Sequence, residues 1–278
     1  MKVINLIENT EGTAGCAYAH GLSFYIETAK HKLLADLGPS EETLGNAEKL
    51  GIDLGAVDTM ILSHGHYDHS GGILPFTQIN DKAKIYMQRT AVKDYYADDG
   101  EDAEGERYPY IGVDKRIADL SAVVFVDGDL RIDDELELFT VKHRITEVPF
   151  TNKRLLIKKE NGWAQDSFDH EHYLVIREGK SRILVSGCAH NGILNIMEAY
   201  IEKYKEAPDL VISGFHLMKE KEYTPEQRAE IEDIARKLKE YPTDFVTCHC
   251  TGIEAYGIMK DIMGEKLRYV HSGEEIPV

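Results

Sequence analysis

The segment at residues 63–72, Ser-His-Gly-His-Tyr-Asp-His-Ser-Gly-Gly, constrains this chain more than any other feature. A run of mostly apolar residues precedes it and a Gly-Gly-Ile helix start ends it, so three histidines and an aspartate leave one strand end. Imidazole nitrogen and carboxylate oxygen suit borderline divalent metals such as zinc. His64 and His66 can chelate one ion, and Asp68 and His69 can serve a second ion close by. The sequence therefore predicts a metal-binding loop at the end of a strand.

Short runs rich in Val, Ile, Tyr and Phe alternate with amphipathic stretches along the chain, which indicates an α/β fold. The predicted strands are Val3–Ile7, Leu22–Glu27, Lys32–Asp36, Val57–Leu62, Lys84–Met87, Ala122–Val126, Glu135–Val141, Tyr173–Arg177, Arg182–Val185, Leu210–Ser213, Asp244–Cys248 and Leu267–His271. The predicted helices are Glu41–Leu50, Gly192–Tyr204 with Asn191 as its cap, a helix from Thr224-Pro225 to about Tyr241, and Ile253–Met263.

Composition and charge exclude several classes of protein. The 278 residues are 42% apolar and 29% charged, as in a soluble globular protein. A formal net charge of −17 disfavours nucleic acid and anionic membrane surfaces as partners. No run resembles a membrane span or a signal peptide, and four cysteines do not make a disulfide framework. We therefore expect a cytoplasmic protein whose residues 1–278 form a single domain, and the sequence leaves its oligomeric state open.

One segment, residues 94–116, breaks the alternation of strands and helices. It is acidic, and four tyrosines (Tyr95, Tyr96, Tyr108 and Tyr110) are interleaved with the acidic residues. Long loops of this kind are usually solvated surface insertions. The alternative interpretation is a lid whose tyrosines border a substrate pocket.

The chain resembles the metallo-β-lactamase superfamily, whose signature is the H-x-H-x-D-H loop after a strand. The resemblance covers nearly the whole length and implies a four-layer αβ/βα sandwich of two mixed β-sheets with helices on the outer faces. Four further motifs resemble one branch of the superfamily: residues 20–23, 187–192, 214–217 and 249–252. Members of that branch are commonly labelled 7,8-dihydropterin-6-methyl-4-(β-D-ribofuranosyl)-aminobenzene-5'-phosphate synthase-like metal-dependent hydrolases.

The resemblance implies six metal ligands shared between two ions. One metal would take His64, His66 and His190, and the other would take Asp68, His69 and His249. His190 and His249 each follow a predicted strand, where a turn would bring them to the sheet edge beside the first motif. His172 is the alternative to His190.

Several other residues are candidates for the same site. Where many members have a metal-bridging aspartate this chain has Cys188, which could bridge as a thiolate, lie outside the coordination sphere, or leave the bridge to water. Asp36 resembles an aspartate that usually supports the metal loop. His216, at a predicted strand end, is expected either to contact substrate or support the centre, or to be a structural histidine. The same two interpretations apply to His20.

The remaining histidines and cysteines carry no predicted role. His31, His143, His170 and His271 are expected to be ordinary surface or core residues. Cys248 and Cys250 bracket His249, and on a strand they would point to the face opposite the ligand. We expect both to be buried free cysteines.

These residues predict a binuclear metal-dependent hydrolase that uses a metal-bridging hydroxide on a small anionic ester or phosphoester. The ions are expected to be zinc, with manganese or iron as alternatives. Asp68 would orient the hydroxide or take its proton, and His216 would donate a proton or hydrogen bond to the substrate. A basic cluster could attract the anionic substrate, or could be solvated surface charge: Lys142, His143, Arg144, Lys153 and Arg154.

Three other activities remain open at this point. The branch label implies a methanopterin-type synthase that joins a phosphoribosyl-aryl compound to a pterin. Relatives that hold iron imply an oxidoreductase or dioxygenase. A metal-dependent binding module is the third possibility, and the intact ligand set disfavours it.

Overall fold

A computed structural model describes residues 1–101 and 104–278. Its strands are β1 (Lys2–Ile7), β2 (Ser23–Glu27), β3 (Lys32–Ala35), β4 (Thr59–Ile61), β5 (Lys84–Gln88), β6 (Tyr95–Ala97), β7 (Val123–Val126), β8 (Leu130–Arg131), β9 (Leu136–Phe139), β10 (Leu155–Lys159), β11 (Gly162–Gln165), β12 (Tyr173–Glu178), β13 (Ser181–Val185), β14 (Leu210–Ser213), β15 (Asp244–Thr247), β16 (Leu267–Tyr269) and β17 (Glu275–Ile276). Its α-helices are α1 (Glu42–Lys49), α2 (Tyr67–Ser70), α3 (Ile73–Phe76), α4 (Ile193–Tyr204), α5 (Pro225–Glu240) and α6 (Ile253–Met263).

Two large mixed sheets form the centre of the molecule. In the described part of the chain each has seven strands, in the orders β17-β1-β2-β3-β4-β5-β7 and β16-β15-β14-β13-β12-β9-β8. Strands β3, β4, β5 and β7 run parallel in the first sheet, and β13 to β16 run parallel in the second. The other pairs in both sheets are antiparallel.

Strand alternation divides the apolar residues into layers. Phe24 and Ile26 on β2 join Ile183 on β13 in a core that lies between the two sheets. Tyr25, between them in sequence, points the other way, into the core beneath α1 and α3. Leu184 likewise points outward, into the core beneath α4, α5 and α6. Because successive strand residues face opposite sides, both sheets are covered on both faces, and the predicted four-layer αβ/βα sandwich is confirmed.

The helix ends agree with their sequence signals, with one exception. Thr224 and Gln227 form the expected capping box at the start of α5. Asn191 was expected to cap α4, but Gly192 occupies the cap position without a side-chain bond. The Asn191 amide instead donates to Glu171 Oε2 at 2.8 Å. A buried carboxylate therefore uses the side chain that would have capped the helix.

Part of the segment at residues 94–116 belongs to the folded body of the protein. Tyr95–Ala97 is strand β6, which pairs with β10 in a small sheet, β11-β10-β6. The Tyr95 side chain is buried, and the Ile111 carbonyl accepts a hydrogen bond from Tyr67 N at 2.9 Å. This segment therefore contacts the predicted metal loop directly. Two of its residues, Asp102 and Ala103, lie outside the described part of the chain.

The topology gathers the candidate residues at one edge of the sandwich. Parallel strands β3 and β4 end at Asp36 and the metal loop, and parallel strands β13, β14 and β15 lead to the other motifs. Ligands of open α/β sheets generally bind at the carboxyl ends of the strands. Within residues 1–101 and 104–278, no helix combines the length and apolar character needed to cross a membrane.

Candidate metal centre

The metal loop packs tightly against its neighbours. It leaves β4 and turns into the short helix α2, with His66 at the N-cap position. A side chain at Gly65 would bring its Cβ within 2.5 Å of the Ala91 carbonyl oxygen, so only glycine fits this approach. Leu37 N donates to the His69 carbonyl at 2.8 Å, which ties the other end of the loop to the β3 side of the site.

Three imidazoles converge to form the first candidate metal position. Nitrogens of His64, His66 and His190 all lie within 4.8 Å of one another, and all three residues are buried. Among the described residues, the Nε2 atoms of these three histidines have no hydrogen-bond partner. A buried polar atom left unpaired costs about 1–3 kcal/mol, so convergent orphan nitrogens point to a ligand.

The other ring nitrogens show which tautomers are present. His190 Nδ1 lies 2.9 Å from Asn152 Oδ1, an amide oxygen that can only accept, so Nδ1 carries the proton. Ser63 Oγ donates its only proton to Asp36 Oδ2 and so accepts from His64 Nδ1 at 2.8 Å. Both histidines therefore present an unprotonated Nε2 to the cluster, which is the form that binds a metal.

The second candidate position is centred on Asp68. Its Oδ2 lies 3.4 Å from His20 Nε2, 3.5 Å from His69 Nε2 and 3.3 Å from His249 Nε2. His69 Nδ1 is 2.6 Å from Asp36 Oδ2, and His249 Nδ1 is 2.7 Å from Asn9 Oδ1. Both Nδ1 atoms therefore donate, and both Nε2 atoms are free to bind a metal.

His20 has the opposite tautomer from the other histidines around Asp68. Asn9 accepts from His249 through Oδ1, and its Nδ2 atom points to His20 Nδ1 at 3.4 Å. His20 then carries its proton on Nε2, which faces Asp68. The structure therefore places His20 beside the carboxylate as a hydrogen-bond donor, half-exposed at the mouth of the site.

Cys188 lies between the two positions, and Cys250 lies beside it. Cys188 Sγ is 3.2 Å from His69 Nε2, and His64, His69 and Cys188 form one potential ligand group. Cys188, His249 and Cys250 form another. The expectation that Cys250 points away from the ligands is wrong, because β15 ends at Thr247 and the chain then enters a 3-10 turn. Strand alternation stops applying there.

His170 and His172 are fully buried next to the cluster, with both nitrogens of each ring paired. His170 Nδ1 accepts from Gly65 N at 2.9 Å, and its Nε2 is 3.0 Å from Asp166 Oδ2. His172 Nε2 donates to the Leu62 carbonyl at 2.8 Å. The expectation that His170 is an ordinary residue missed a position directly under the metal loop. Only its spacing from His172 in sequence could have indicated it.

His216 lies at the rim of the first position. Its ring centroid is 4.2 Å from that of His190, and its Nδ1 is 2.7 Å from Thr151 Oγ1. Thr151 donates its proton to the His216 carbonyl, so His216 Nδ1 donates to Thr151. His216 Nε2 is therefore an acceptor. Asn152 and Thr151, adjacent in the 3-10 helix Phe150–Arg154, thus hold two site histidines.

Burial favours the neutral form of several imidazoles in the site. Burial, reinforced by neighbouring histidines, lowers the pKa of His66 to about 3 and that of His190 well below its usual range. Burial likewise lowers the pKa of His216 to about 3. The pKa of Asp68 is held well below its usual range, because His69 and His249 outweigh the effect of burial. The carboxylates of Asp36 and Asp68 outweigh burial and raise the pKa of His69, so metal binding there would release a proton that the neutral rings of His66 and His190 do not carry.

Backbone conformation is unusual at the corners that carry these residues. Asp36, Ala189, His216 and His249 all have positive φ, between 48° and 60°. Residues other than glycine adopt this left-handed region rarely, and such strain is concentrated at functional sites. The corners are therefore held by the surrounding hydrogen bonds rather than by local preference.

The basic residues of the predicted cluster make separate contacts in the structure. Lys142 pairs with Asp129 at 3.5 Å, and Arg144 Nε donates to Asn191 Oδ1 at 2.9 Å. Arg154 ends the 3-10 helix that holds the site histidines and pairs with Asp99 at 2.7 Å. His143 and Lys153 are exposed. These contacts engage three of the five residues within the protein.

Two of the remaining histidines, His31 and His271, pair with other side chains. His31 bridges Asp58 and Asp133, with distances of 2.8 Å and 2.6 Å. His271 Nδ1 contacts Thr10 Oγ1 at 2.5 Å. Neither belongs to a group of potential metal ligands in the described residues.

Comparison with known proteins identifies the family. The family model described as the metallo-beta-lactamase superfamily matches residues 19–200. A relative from Methanocaldococcus jannaschii, named 7,8-dihydropterin-6-methyl-4-(beta-D-ribofuranosyl)-aminobenzene-5'-phosphate synthase, is 27% identical over 99% of this chain and 96% of its own. Tm1679, described as a metal-dependent hydrolase of the beta-lactamase superfamily, has 28% identity, a TM-score of 0.82, and coverage of 100% of this chain and 99% of its own. Zinc-bound PqqB from Methylobacterium extorquens shares the fold, with a TM-score of 0.58, 12% identity and full coverage of both chains.

Proposed function

Because this chain belongs to the metallo-beta-lactamase superfamily, we propose that it is a metal-dependent hydrolase that binds two divalent ions. Its substrate would be a small anionic ester, with phosphoesters as the first class to test. The ions would be zinc, with manganese or iron as the alternatives. The solved relative described as a metal-dependent hydrolase supports this proposal over the full length of the chain.

One observation carries the proposal: the hydrogen-bond network separates two kinds of buried histidine. His64, His190 and His249 donate through Nδ1 and leave Nε2 unpaired among the described residues. His170 and His172 use both nitrogens within the protein. A structural role would not require aligned free lone pairs, whereas metal binding does.

The donor set fits divalent ions. His64, His66 and His190 would hold one ion, and Asp68, His69 and His249 would hold the other. When bound there, divalent ions act as Lewis acids and lower the pKa of water towards neutrality. Burial keeps His66 and His190 unprotonated well below neutral pH, so the first position is available to an ion at pH 7.

The chain's own side chains would orient the reacting groups. Asp68 stays ionised and can accept a hydrogen bond from the attacking water. His216, neutral at pH 7 because its pKa is lowered to about 3, would accept a hydrogen bond through Nε2 at the rim of the site rather than donate a proton. This acceptor role replaces the donor role that the sequence suggested. His20 would donate to Asp68 and hold its carboxylate in place.

The proposal is tested by assaying chromogenic phosphoesters, phosphodiesters and carboxylic esters with the zinc- or manganese-loaded protein. His190→Ala is expected to lower kcat/KM more than about 100-fold, because it removes a ligand and not only its support. His143→Ala is the matched control, because His143 is exposed and outside the site. Equal activity of the His190→Ala variant and the wild type on every ester would refute the proposal.

A synthase is the second candidate function. It is favoured by the curated relative that carries a synthase name and aligns over 99% of this chain. A synthase would form product only when a phosphoribosyl-aryl compound and a pterin are both present. Ester turnover without a second organic substrate would instead support the hydrolase.

A further inference from the structure

Three of the four cysteines are buried, and they lie in two different environments. Cys248 packs in the apolar core between the sheets. Cys188 and Cys250 belong to none of the apolar clusters in the described part of the chain. A buried cysteine usually serves as a small apolar side chain. Cys188 and Cys250 therefore need another explanation.

The two thiols face a histidine whose Nε2 atom has no hydrogen-bond partner among the described residues. Cys188 Sγ, Cys250 Sγ and a ring nitrogen of His249 lie within 4.8 Å of one another. His249 Nε2 is fully buried and has no hydrogen-bond partner in residues 1–101 and 104–278. Sulfur and imidazole nitrogen bound to one zinc ion lie about 2.3 Å and about 2.0 Å from it. Two sulfur atoms and a nitrogen that lie within 4.8 Å of one another can therefore bind the same ion.

The backbone is built to admit Cys250 at this point. A side chain at Gly214 would bring its Cβ within 2.4 Å of Cys250 Sγ. The Cys250 carbonyl accepts from Leu217 N and Met218 N, at 2.9 Å and 2.8 Å. The corner after β14 therefore leaves space for the sulfur and also fixes the turn that carries it.

We propose that Cys250 joins Cys188 as a second thiolate ligand, at the metal position that contains His249. The proposal rests on the metal centre of the proposed function and adds to it the class of ion. Thiolates select zinc and other soft ions, whereas manganese and magnesium prefer oxygen ligands. The His249 position is therefore expected to prefer zinc over manganese more strongly than the position of His64, His66 and His190.

Cobalt titration of the metal-free protein tests this assignment. Thiolate-bound Co²⁺ absorbs in the near ultraviolet by charge transfer, whereas Co²⁺ bound only by nitrogen and oxygen lacks this band. Cys188→Ser and Cys250→Ser are each expected to lower the band by about half, because each removes one of two sulfur ligands. Cys248→Ser, a buried cysteine two residues from Cys250, is the matched control and should leave the band unchanged. An undiminished band in folded Cys250→Ser would overturn the assignment of Cys250.

X-ray absorption of the zinc-loaded wild-type protein provides a test that needs no variant to fold. A sulfur shell about 2.3 Å from zinc is expected, and a shell of nitrogen and oxygen alone would overturn the proposal. The two proposals can fail separately. A sulfur shell without turnover of any ester refutes only the hydrolase. Turnover with a cobalt band that does not respond to Cys250→Ser refutes only the thiolate ligand.

Discussion

At the scale of single residues, the partner of one imidazole nitrogen decides what the other nitrogen can do. Asn9 shows this most directly, because its amide accepts from His249 and points its nitrogen at His20. The two rings therefore have opposite tautomers although both face Asp68. The Asn9 side chain thus makes His249 a potential metal ligand and His20 a supporting hydrogen-bond donor. Residues that bind no metal thus determine which histidines can.

Asn152 is expected to tune metal affinity without touching the metal. It accepts from His190 Nδ1 at 2.9 Å and donates to the His190 carbonyl at 2.7 Å. We predict that Asn152→Ala weakens zinc binding by about 10- to 100-fold, the usual effect of losing such a partner. Competition titration against a chromogenic chelator measures this. Asn80→Ala is the control, since the side chain of buried Asn80 bonds to the backbone of Leu54, Val57, Lys82 and Ala83 and not to a candidate ligand. Equal affinities in both variants would contradict the prediction.

His172 is expected to make stability depend on pH. Burial lowers its pKa to about 4 in the folded protein, from 6.5 in an unfolded chain. As the pH falls from 6.5 to 4, the unfolded chain takes up a proton that the folded chain does not bind, so the free energy of unfolding decreases. The free energy of unfolding falls by about 3 kcal/mol, because each unit of pKa difference is worth about 1.4 kcal/mol. His172→Gln, which keeps a donor and an acceptor, should remove this part of the pH dependence.

Urea unfolding of both proteins at pH 7.5 and pH 4.5 measures this effect of His172. The wild-type protein should lose more stability than the His172→Gln variant between the two pH values. Other buried histidines contribute equally to both proteins and cancel in the comparison. Parallel decreases in the two proteins would show that His172 does not carry the effect.

Some residues of this site can be predicted from the sequence, and others cannot. His64, His66, Asp68 and His69 stand within six positions, so their shared loop is visible in the sequence alone. Asn152 lies 38 residues from His190, and nothing in the neighbouring sequence Thr-Asn-Lys-Arg links it to a histidine. Its role depends on how a 3-10 helix meets a distant corner. No local pattern of residues encodes that meeting, so the structure was needed to find it.

At the scale of elements, the metal loop depends on close approaches between backbones. Gly65 meets Ala91 in the 3-10 helix after β5, and Gly71 meets Pro39 after β3. A Cβ at Gly71 would lie 1.9 Å from the Pro39 carbonyl oxygen. The loop is thus held between two neighbouring elements and is not free to adjust.

Gly65→Ala is expected to be destabilising and to weaken metal binding. The added methyl must displace the Ala91 backbone, which costs about 1–3 kcal/mol in a packed region. Gly45→Ala is the matched control. Gly45 lies inside α1, and a Cβ added there would meet nothing within 4 Å, so alanine should raise stability by about 0.5–1 kcal/mol. Thermal unfolding with and without zinc compares the two variants. If Gly65→Ala and Gly45→Ala change the stability equally and with the same sign, the close approach at Gly65 does not constrain the loop.

Long elements are predictable from this sequence, and several short ones are not. The amphipathic pattern and caps indicate α5, and runs of apolar residues indicate the central strands. Strands β6, β10 and β11 are not predicted, because they are short and their sequences, Tyr-Tyr-Ala, Leu-Leu-Ile-Lys-Lys and Gly-Trp-Ala-Gln, do not alternate apolar with polar residues. The fold class itself depended on the resemblance. Tyr95, buried beside His170 with ring centroids 4.2 Å apart, could not be told from its more exposed neighbours.

At the scale of the whole molecule, the ligands come from both sheets. The loop after β4 supplies His64, His66, Asp68 and His69, whereas β13 and β15 of the other sheet lead to His190 and His249. Each candidate position therefore combines donors from the two halves of the sandwich. Metal binding would cross-link the halves, beyond the apolar core that already joins them. Folding and metal binding should accordingly be coupled.

The coupling predicts a large effect of zinc on thermal stability. At zinc concentrations about 100 times Kd, binding adds about 2.7 kcal/mol per site to the folded state. For a chain of this size, each kcal/mol corresponds to a Tm increase of about 2–4 °C. Chelation of the zinc-loaded protein should thus lower Tm by about 5–10 °C for each site. His249→Ala should lose the contribution of one position, and His143→Ala should behave as the wild type does. If neither zinc nor chelator changes the Tm, the two sheets are held together by their apolar core alone.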